Sequence, residues 1–351
     1  MRAEIVKDRV IVEKKAINEF YNNGYYGRPK PNGLELTLIE AVYLAYRGKI
    51  EVEHEGKVLD FAGLFKAASI LQPSFELKYI VYKDLRERGF YVQPGVTDFR
   101  VYPRGSHPGK GAAKQFVYVR SERAPMPLRD LLRSLAAAEN VRKQMILAIV
   151  DEESDITFYD VKRPRLKGEM KEPLYPDINV DATFLEDRVV VWDEDASNTL
   201  FENGFYGKPL DSQRLQLSLV ESRYLLEKGV LNINNRQNEY LDVDAFSKMA
   251  SEIEPEFNIK SSVYTDLRDE GVVPKTGFKF GSHFRVYTQV ESPTKIPHSE
   301  YLIHSIPLDH EFTLPVMSRA IRLANSVRKR MLYAIPTDEG VDYIDIGRVK
   351  M

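Results

Sequence analysis

The chain carries the same short sequence blocks twice, in the same order, and this repetition constrains its fold more than any other feature. Four blocks recur with few changes: NGYYGRP (23–29) as NGFYGKP (203–209), VYKDLRERG (81–89) as VYTDLRDEG (263–271), FRVY (99–102) as FRVY (284–287), and ENVRKQM (139–145) as NSVRKRM (325–331). The separation between partners rises only from 180 to 186 residues. This spacing indicates one unit of about 165 residues in two tandem copies, with small loop insertions, rather than a short-period solenoid.

Each copy changes its pattern of apolar residues half-way along. The first half mixes short strands such as RVIV and RVVV with amphipathic helices, one of which can place Leu219, Tyr224 and Leu225 on an inner face. The second half has strands, one helix and then strands, represented by HFRVYTQ, YLIHSIPL, MLYAI and DYIDI. The predicted fold is therefore a tandem duplication in which each repeat is a small α+β subdomain followed by a compact α/β subdomain.

The helix of the last subdomain is expected from about Leu314 to Lys329. Four apolar residues step along it by four, three and four positions and predict one buried stripe: Val316, Ala320, Leu323 and Val327. Arg322 and Lys329 are seven residues apart, which places them on the same side of such a helix. A basic ridge of this kind suits a phosphate backbone, although a solvated helix face is the commoner reason for a charge cluster.

A stretch rich in lysine and proline, with little apolar periodicity, separates the two copies and predicts a linker. The expected divisions are an α+β subdomain over 1–89, an α/β subdomain without catalytic function over 90–163, the linker over 164–180, a second α+β subdomain over 181–271, and a catalytic α/β subdomain over 272–351.

Composition excludes several classes of protein. Hydrophobic residues make up 43% and charged residues 29% of the chain, as in ordinary globular proteins. The absence of cysteine excludes disulfides and thiolate metal sites. No apolar run is long enough to span a bilayer, and the N-terminal stretch has no signal-peptide pattern, so a cytoplasmic location is expected. A net charge of −2 gives no indication of nucleic-acid binding, which local charge has to decide.

The two copies differ in their ionisable residues. Tyr287 is followed eleven residues later by His298, where the first copy has Ala113. From Phe312 to Thr337 the second copy has several basic residues and no acidic one. These differences suggest that the second copy carries a chemical function that the first lacks.

Tyr287, His298 and Lys329 together would suit attack of a ribose 2′-hydroxyl on the neighbouring phosphate. The RNA itself supplies the nucleophile, so a metal is dispensable. A tyrosine could accept the 2′ proton if a nearby cation lowers its pKa. A histidine could protonate the departing 5′ oxygen, and a lysine could stabilise charge on the phosphorane-like transition state. Each residue alone is more often structural: a packed tyrosine, a structural histidine, or a lysine at a helix end.

The blocks GFKFGSHFRVYT, HSEYLIH and LANSVRKRM are similar to the signature blocks of the archaeal tRNA-splicing endonucleases, and the resemblance extends over nearly all of both copies. A first repeat that looks inactive, followed by a complete second repeat, resembles the homodimeric class of that family. The resemblance implies an α/β nuclease-like subdomain that cuts precursor tRNA at bulge-helix-bulge junctions without metal or other cofactor. It implies a 2′,3′-cyclic phosphate and a 5′-hydroxyl as the products.

The resemblance also implies roles for individual residues. Tyr287 would be the general base, His298 the general acid and Lys329 the transition-state stabiliser. Arg322 and Arg348 match positions where the family clamps a bulged base between arginines contributed across the dimer, although Arg163 is the counterpart of Arg348 in the first copy.

The family docks an acidic loop of the first repeat into the partner protomer. Here the matching turn, DEESD, contains four carboxylates: Asp151, Glu152, Glu153 and Asp155. From the residues alone, such a turn between two strands is commonly a solvated hairpin, and only the resemblance favours docking.

One residue of the first copy complicates the comparison. His107 lies five residues after Tyr102, in a longer loop that contains glycine, and we expect it to be a relic of the catalytic histidine or a surface residue.

Two other functions fit parts of the sequence. A metal-dependent nuclease would need clustered carboxylates, or a site built from His283, His298, His304 and His310, whose spacings match no compact ligand motif. A non-catalytic RNA-binding scaffold would explain the basic residues and the duplication, but it would leave the combination of tyrosine, histidine and lysine a coincidence.

Overall fold

The computed structural model describes residues 1–171, 179–295 and 297–351. The first repeat contains the strands β1 (Arg2–Val6), β2 (Arg9–Val12), β3 (Arg28–Lys30), β4 (Gly33–Thr37), β5 (Glu51–His54), β6 (Lys57–Leu59), β7 (Val92–Pro94), β8 (Phe99–Val101), β9 (Gln115–Ser121), β10 (Met126–Pro127), β11 (Gln144–Val150) and β12 (Ile156–Lys162). Its helices are α1 (Leu38–Tyr46), α2 (Phe61–Leu71), α3 (Phe75–Glu87) and α4 (Leu128–Asn140), with a π-helical segment over Ile17–Asn22.

The second repeat contains a matching set of elements. Its strands are β13 (Val180–Leu185), β14 (Arg188–Val191), β15 (Lys208–Pro209), β16 (Leu215–Leu217), β17 (Leu231–Asn234), β18 (Tyr240–Leu241), β19 (Val273–Thr276), β20 (Phe284–Tyr287), β21 (Tyr301–Ser305), β22 (Glu311–Phe312), β23 (Arg330–Thr337) and β24 (Gly340–Val349). Its helices are α5 (Glu194–Gly204), α6 (Leu219–Glu227), α7 (Val243–Ile253), α8 (Phe257–Asp269) and α9 (Leu314–Ser326), with a 3₁₀ turn over Phe278–Phe280.

Both repeats have the same strand order. The first half of each forms a six-stranded sheet, β3-β4-β2-β1-β5-β6 in one and β15-β16-β14-β13-β17-β18 in the other. In the second half, neighbouring strands run β7-β8-β9-β11-β12 and β19-β20-β21-β23-β24. The pairs β9–β11 and β21–β23 are parallel, and each crosses over through the helix between them. This shared topology confirms the tandem duplication.

The chain forms two compact units, each with its own apolar core. One unit comprises Met1–Lys162, Glu311–Met317 and Gly347–Met351, and the other comprises Arg163–His310 and Ser318–Ile346. The second core includes Leu219, Tyr224 and Leu225, which are all buried on α6 as the apolar spacing predicted. No helix within the described ranges has the length and apolar character that crossing a membrane requires.

Two of the recurring blocks are architectural, because they contact each other inside each repeat. In the first repeat the Arg86 guanidinium donates a 3.1 Å hydrogen bond to the carbonyl oxygen of Gly24 and lies 4.0 Å from the ring centroid of Tyr26. One repeat later Arg268 lies 4.1 Å from the centroid of Tyr206. The recurrence of these blocks therefore reflects packing rather than chemistry.

The N-termini of α1 and α6 explain a further part of the repeated pattern. Thr37 and Glu40 form a reciprocal capping box at the start of α1, and Ser218 and Glu221 form one at the start of α6. Each buried glutamate also accepts a hydrogen bond from a glycine amide of the preceding block, over 2.9 Å for Gly207. These contacts fix the turn that carries the glycine-containing block.

Helix α9 differs from the prediction in both its buried face and its end. The predicted stripe is wrong, since Val316, Leu323 and Val327 are exposed. The buried residues of the helix are instead Leu314, Met317, Ile321 and Ala324. The helix ends at Ser326 rather than Lys329, because Arg328 adopts a left-handed conformation with a φ of 57°.

The predicted linker begins as an ordered segment of the second unit. Leu166 is buried, and the amides of Gly168 and Met170 donate hydrogen bonds of 2.8 and 3.1 Å to the carbonyl oxygens of Glu270 and Gly271. Residues 172–178 of the predicted linker lie outside the described residues.

Candidate active site

Tyr287 is the last residue of β20 and lies within the second unit. Its neighbour across the sheet is Val273 on β19, and only 4% of its surface is exposed. Its hydroxyl group interacts with the side chain of Ser299, which favours the ionised form of the phenol. The phenol is thereby held at the end of the strand, facing the segment that connects β20 to β21.

Lys329 also contacts Ser299, through the backbone of the serine. The left-handed Arg328 ends α9 and turns the chain, and the Lys329 amide then donates a 2.9 Å hydrogen bond back to Ala324. The Lys329 side chain is 7% exposed, and its ammonium donates a 2.7 Å hydrogen bond to the carbonyl oxygen of Ser299. Lys329 therefore points inward. The prediction that Lys329 and Arg322 form one basic ridge on the helix surface is wrong.

His298 immediately precedes Ser299, in the connection between β20 and β21. It is exposed, while Ser299 is buried. Ser299 therefore lies between the three predicted residues: its side chain contacts Tyr287, its carbonyl oxygen binds Lys329, and its peptide bond joins it to His298. No motif in the sequence pointed to Ser299, because contacts made by a serine side chain and a backbone carbonyl oxygen leave no recognisable pattern of residues.

The environment of the site changes the proton affinities of two of these groups. Burial raises the pKa of Tyr287, whereas the Arg285 guanidinium and the Ser299 hydrogen bond act in the opposite direction. A tyrosine that acts as a base needs a nearby cation to lower its pKa; Arg285 is such a cation, but burial outweighs its effect on the pKa of Tyr287. Burial also lowers the pKa of Lys329, and the nearby positive charge of Arg285 lowers it further.

The equivalent position in the first repeat is built differently. The Tyr102 hydroxyl group donates a 2.8 Å hydrogen bond to the side-chain oxygen of Gln93, so this tyrosine is tied to β7. Ala113, the counterpart of His298, is buried and has no ionisable group. The first repeat thus lacks the imidazole, and its tyrosine is held by a glutamine.

His107 is partly buried and packs against two tyrosines. Its ring stacks on Tyr25, with centroids 4.7 Å apart, and meets the edge of Tyr91 at 5.8 Å. It is half-buried in this aromatic cluster, so its position is explained by packing.

The recurring VRK block has a backbone role in both repeats. Arg142 and Arg328 both adopt the left-handed conformation, with φ values of 55° and 57°. The following lysine amide closes the helix end each time, through a 2.8 Å bond from Lys143 to Ala138 in the first repeat. The block therefore has the same fold position in both repeats.

The predicted RNA-binding arginines are on the surface. Arg322 is exposed on α9, and Arg348 is exposed near the end of β24. Arg163, the counterpart of Arg348, is paired with Asp342 through its Nε atom at 3.0 Å. Arg330, one of the predicted basic residues, is paired with the buried Asp345 and does not belong to an exposed basic face.

The acidic turn is an exposed hairpin between β11 and β12. The Asp151 carboxylate accepts hydrogen bonds from the amides of Glu153 and Asp155 at 3.0 and 2.8 Å, which fixes the turn. Glu152 contacts Arg123. The turn is thus held by its own side chains.

The histidines of the second repeat do not gather around a common point that could hold a metal. Throughout the described part of the chain, no group of three or more histidine, cysteine, aspartate or glutamate side chains has that geometry. The ring of His283 lies edge-on to His304, accepts a 3.0 Å hydrogen bond from the Ser305 amide through Nδ1, and contacts Glu256 through Nε2 at 3.2 Å. His283 is thus a partly buried histidine with a partner at each ring nitrogen.

Comparison with known proteins agrees with the repeated architecture. The family described as tRNA intron endonuclease, N-terminal domain, matches residues 1–65 and 180–247, and the family described as tRNA intron endonuclease, catalytic C-terminal domain, matches residues 75–158 and 257–343. Both domains thus occur twice, and the fold and site together define a two-repeat RNA endonuclease chain.

Full-length relatives point to the same class. The chain is 93% identical to the tRNA-splicing endonuclease of Methanococcoides burtonii and 61% identical to that of Methanosarcina acetivorans, in both cases over 100% of both chains. It is 36% identical to that of Natronomonas pharaonis over 94% of each chain. The chain belongs to the archaeal tRNA-splicing endonuclease family, and the predicted resemblance is confirmed.

Proposed function

We propose that this chain cuts precursor tRNA at bulge-helix-bulge junctions by metal-independent attack of a ribose 2′-hydroxyl, leaving a 2′,3′-cyclic phosphate and a 5′-hydroxyl. The reaction is assigned to the C-terminal part of the second repeat, residues 272–351, and not to residues 90–163. The observation that carries the proposal is the position of Ser299, whose carbonyl oxygen binds the ammonium of Lys329, whose side chain interacts with the phenol of Tyr287, and which is joined directly to His298.

The reaction needs two proton transfers and one bond exchange. As the 2′-oxygen forms its bond to phosphorus, its proton passes to the phenolate oxygen of Tyr287, which becomes the neutral phenol. As the bond from phosphorus to the 5′-oxygen breaks, the His298 imidazole donates a proton to that oxygen. The exposure of His298 suits this role, because the leaving strand must approach it from solvent.

Lys329 supplies positive charge to the phosphorane-like transition state. Its ammonium is held by one short hydrogen bond to a carbonyl oxygen, which fixes its direction without neutralising it. A fixed cation in a partly dry site stabilises developing negative charge better than a mobile one.

The remaining assignments concern substrate binding and assembly. We propose that the exposed Arg322 and Arg348 hold an unpaired base of the RNA, since guanidinium planes stack on bases. The turn that contains Asp151, Glu152, Glu153 and Asp155 is proposed to dock on a second copy of the chain. Its fixed backbone supports this, because a preformed acidic turn loses little entropy on binding a basic recess.

The decisive experiment is cleavage of an intron-containing precursor tRNA in EDTA by wild-type protein and by the His298→Ala variant. We expect wild-type cleavage to persist, and the variant to bind RNA normally while cutting about 10²- to 10⁴-fold more slowly, the range for loss of a general acid.

His107→Ala is the matched control, because it removes the histidine of the first repeat and should leave the cleavage rate unchanged. Loss of wild-type activity in EDTA would favour a metal-dependent nuclease. An uncut substrate with wild-type protein would favour the RNA-binding scaffold.

A further inference from the structure

Arg285 lies beside the candidate active site and takes no part in the two proton transfers. It is two residues before Tyr287 on β20, so both side chains leave the strand on the same face. The centre of its guanidinium lies 5.9 Å from the centroid of the Tyr287 ring. Its charge is also felt by Lys329. Arg285 is therefore a neighbour of both groups.

The guanidinium of Arg285 is incompletely paired. Its Nε atom is buried, and no hydrogen-bond acceptor within the described residues contacts it. A buried donor without a partner destabilises the folded protein. Such a donor beside an active site is explained if an acceptor arrives with the substrate.

The surrounding charges strengthen this argument. Directly opposite Arg285 on β19 is Lys275, another cation. The buried carboxylate of Glu221, 3.4 Å away, is the partner of Lys275. Like charges on facing strand positions repel each other and destabilise a sheet. Arg285 therefore gains no favourable interaction from Lys275 in the RNA-free molecule. An anion that enters the site would remove this penalty.

We propose that Arg285 is a further catalytic residue, whose guanidinium donates a hydrogen bond to a non-bridging oxygen of the scissile phosphate. This inference rests on the proposed function. Phosphate is the anion that suits the geometry, because guanidinium groups bind its oxygens with two parallel hydrogen bonds. Arg285 and Lys329 would then neutralise the phosphate together, while Tyr287 and His298 move the protons.

The first repeat offers a natural comparison. Arg100 occupies the position equivalent to Arg285 but faces the neutral Gln93 across the strands instead of a lysine. It is exposed, and the tyrosine beside it is bonded to that glutamine. Arg100 is thus a matched control for an arginine on the same strand of the same fold.

The test is single-turnover cleavage of precursor tRNA at saturating protein by wild-type, Arg285→Met, Arg285→Lys and Arg100→Met. For Arg285→Met we expect a rate loss of about 10²- to 10³-fold, as for removal of one transition-state donor, with RNA affinity changed by less than about threefold. Arg285→Lys should recover part of the rate, and Arg100→Met should match wild type.

Phosphorothioate substrates separate contact with the phosphate from a structural role. Sulfur in place of one non-bridging oxygen should slow wild-type protein, and the same substitution should have a clearly smaller effect on Arg285→Met. An equal effect of sulfur on both proteins, or full activity of Arg285→Met, would overturn the inference.

Loss of folded protein would appear as a lowered unfolding temperature. If Arg285→Met unfolds early, the uncharged Arg285→Gln variant takes its place. A wild-type rate and a wild-type response to sulfur in folded Arg285→Gln protein would show a structural role and overturn the inference. If wild-type protein itself does not cut, the proposed function fails first and this inference falls with it.

Discussion

Replacing Ser299 by alanine should slow RNA cleavage without unfolding the protein. The substitution removes the hydroxyl that favours the ionised form of Tyr287 but keeps the carbonyl oxygen that binds Lys329. Ser299 is 4% exposed, and alanine fits in its place. The effect should therefore fall on Tyr287 alone.

The expected loss of cleavage rate follows from the interaction between Ser299 and Tyr287, taken as a hydrogen bond to the phenolate. A hydrogen bond to a charged group contributes about 1.5–3 kcal/mol. Here the charged group is the phenolate of Tyr287, which is the form that can accept the proton. Losing the bond disfavours this form, and at 1.36 kcal/mol per tenfold in rate we expect cleavage to slow by about 10- to 150-fold.

The assay is single-turnover cleavage across a range of pH. Because the Ser299 bond lowers the pKa of Tyr287, its removal should move the limb of the pH–rate profile that Tyr287 sets to higher pH. Ser305→Ala is the matched control. Ser305 is also buried on the neighbouring strand, and its hydroxyl has no partner within the described residues. A Ser299→Ala variant with the wild-type cleavage rate and the wild-type pH–rate profile would refute this reasoning.

Three further substitutions test the surroundings of the site. Lys275→Met leaves the buried Glu221 carboxylate without its partner and should cost about 3–5 kcal/mol of unfolding free energy in urea titrations; adding Glu221→Gln should recover part of it, and an equal loss would contradict this. Burial lowers the pKa of His283 to about 3, so the unfolded chain binds the proton first as the pH falls below about 6.5. Wild-type protein should therefore lose about 2 kcal/mol of unfolding free energy between about pH 7 and 5 through this group, and His283→Asn should show a correspondingly shallower pH dependence; parallel curves would refute the assignment. In Gly207→Ala the new Cβ would lie 2.4 Å from a backbone carbonyl oxygen at a φ of 59°, whereas in Gly229→Ala, at a φ of 71°, it would meet nothing within 4 Å. The first should lower the unfolding temperature clearly more than the second, and equal shifts would show that the contact is unimportant.

The duplication and the identity of most strands could be predicted from the sequence, because they depend on repeated blocks and on alternating apolar residues. RVIV and RVVV form β2 and β14. In the last subdomain, β20 and β21 lie within the predicted segments HFRVYTQ and YLIHSIPL, while β23 and β24 contain the predicted segments MLYAI and DYIDI and extend beyond them. These features are local in the chain, so a pattern is enough to find them.

The end of α9 could not be predicted in the same way. Periodicity continues through Val327, but the left-handed backbone of Arg328 is set by the turn into β23. This one residue changes the direction of Lys329 from the helix surface to the carbonyl oxygen of Ser299.

The neighbours of Tyr102 and Arg285 also depend on pairing between strands. The sequence shows that the first repeat has Gln93 where the second has Lys275. Strand register is what brings Gln93 near Tyr102 and Lys275 opposite Arg285. The arginine itself gives no signal in a comparison of the copies, because FRVY is identical in both. Only its buried, unpartnered Nε atom singles it out.

The central claim is that Tyr287, His298 and Lys329 act on one phosphodiester and allow the ribose to cut its own strand. The most direct measurement uses a precursor tRNA with a single 2′-deoxy nucleotide on the 5′ side of one cleavage point, incubated with wild-type protein in EDTA. We predict that this junction stays intact while the unmodified junction is cut to a 2′,3′-cyclic phosphate. Cleavage at the deoxy position at a rate near that of the unmodified junction would contradict the account.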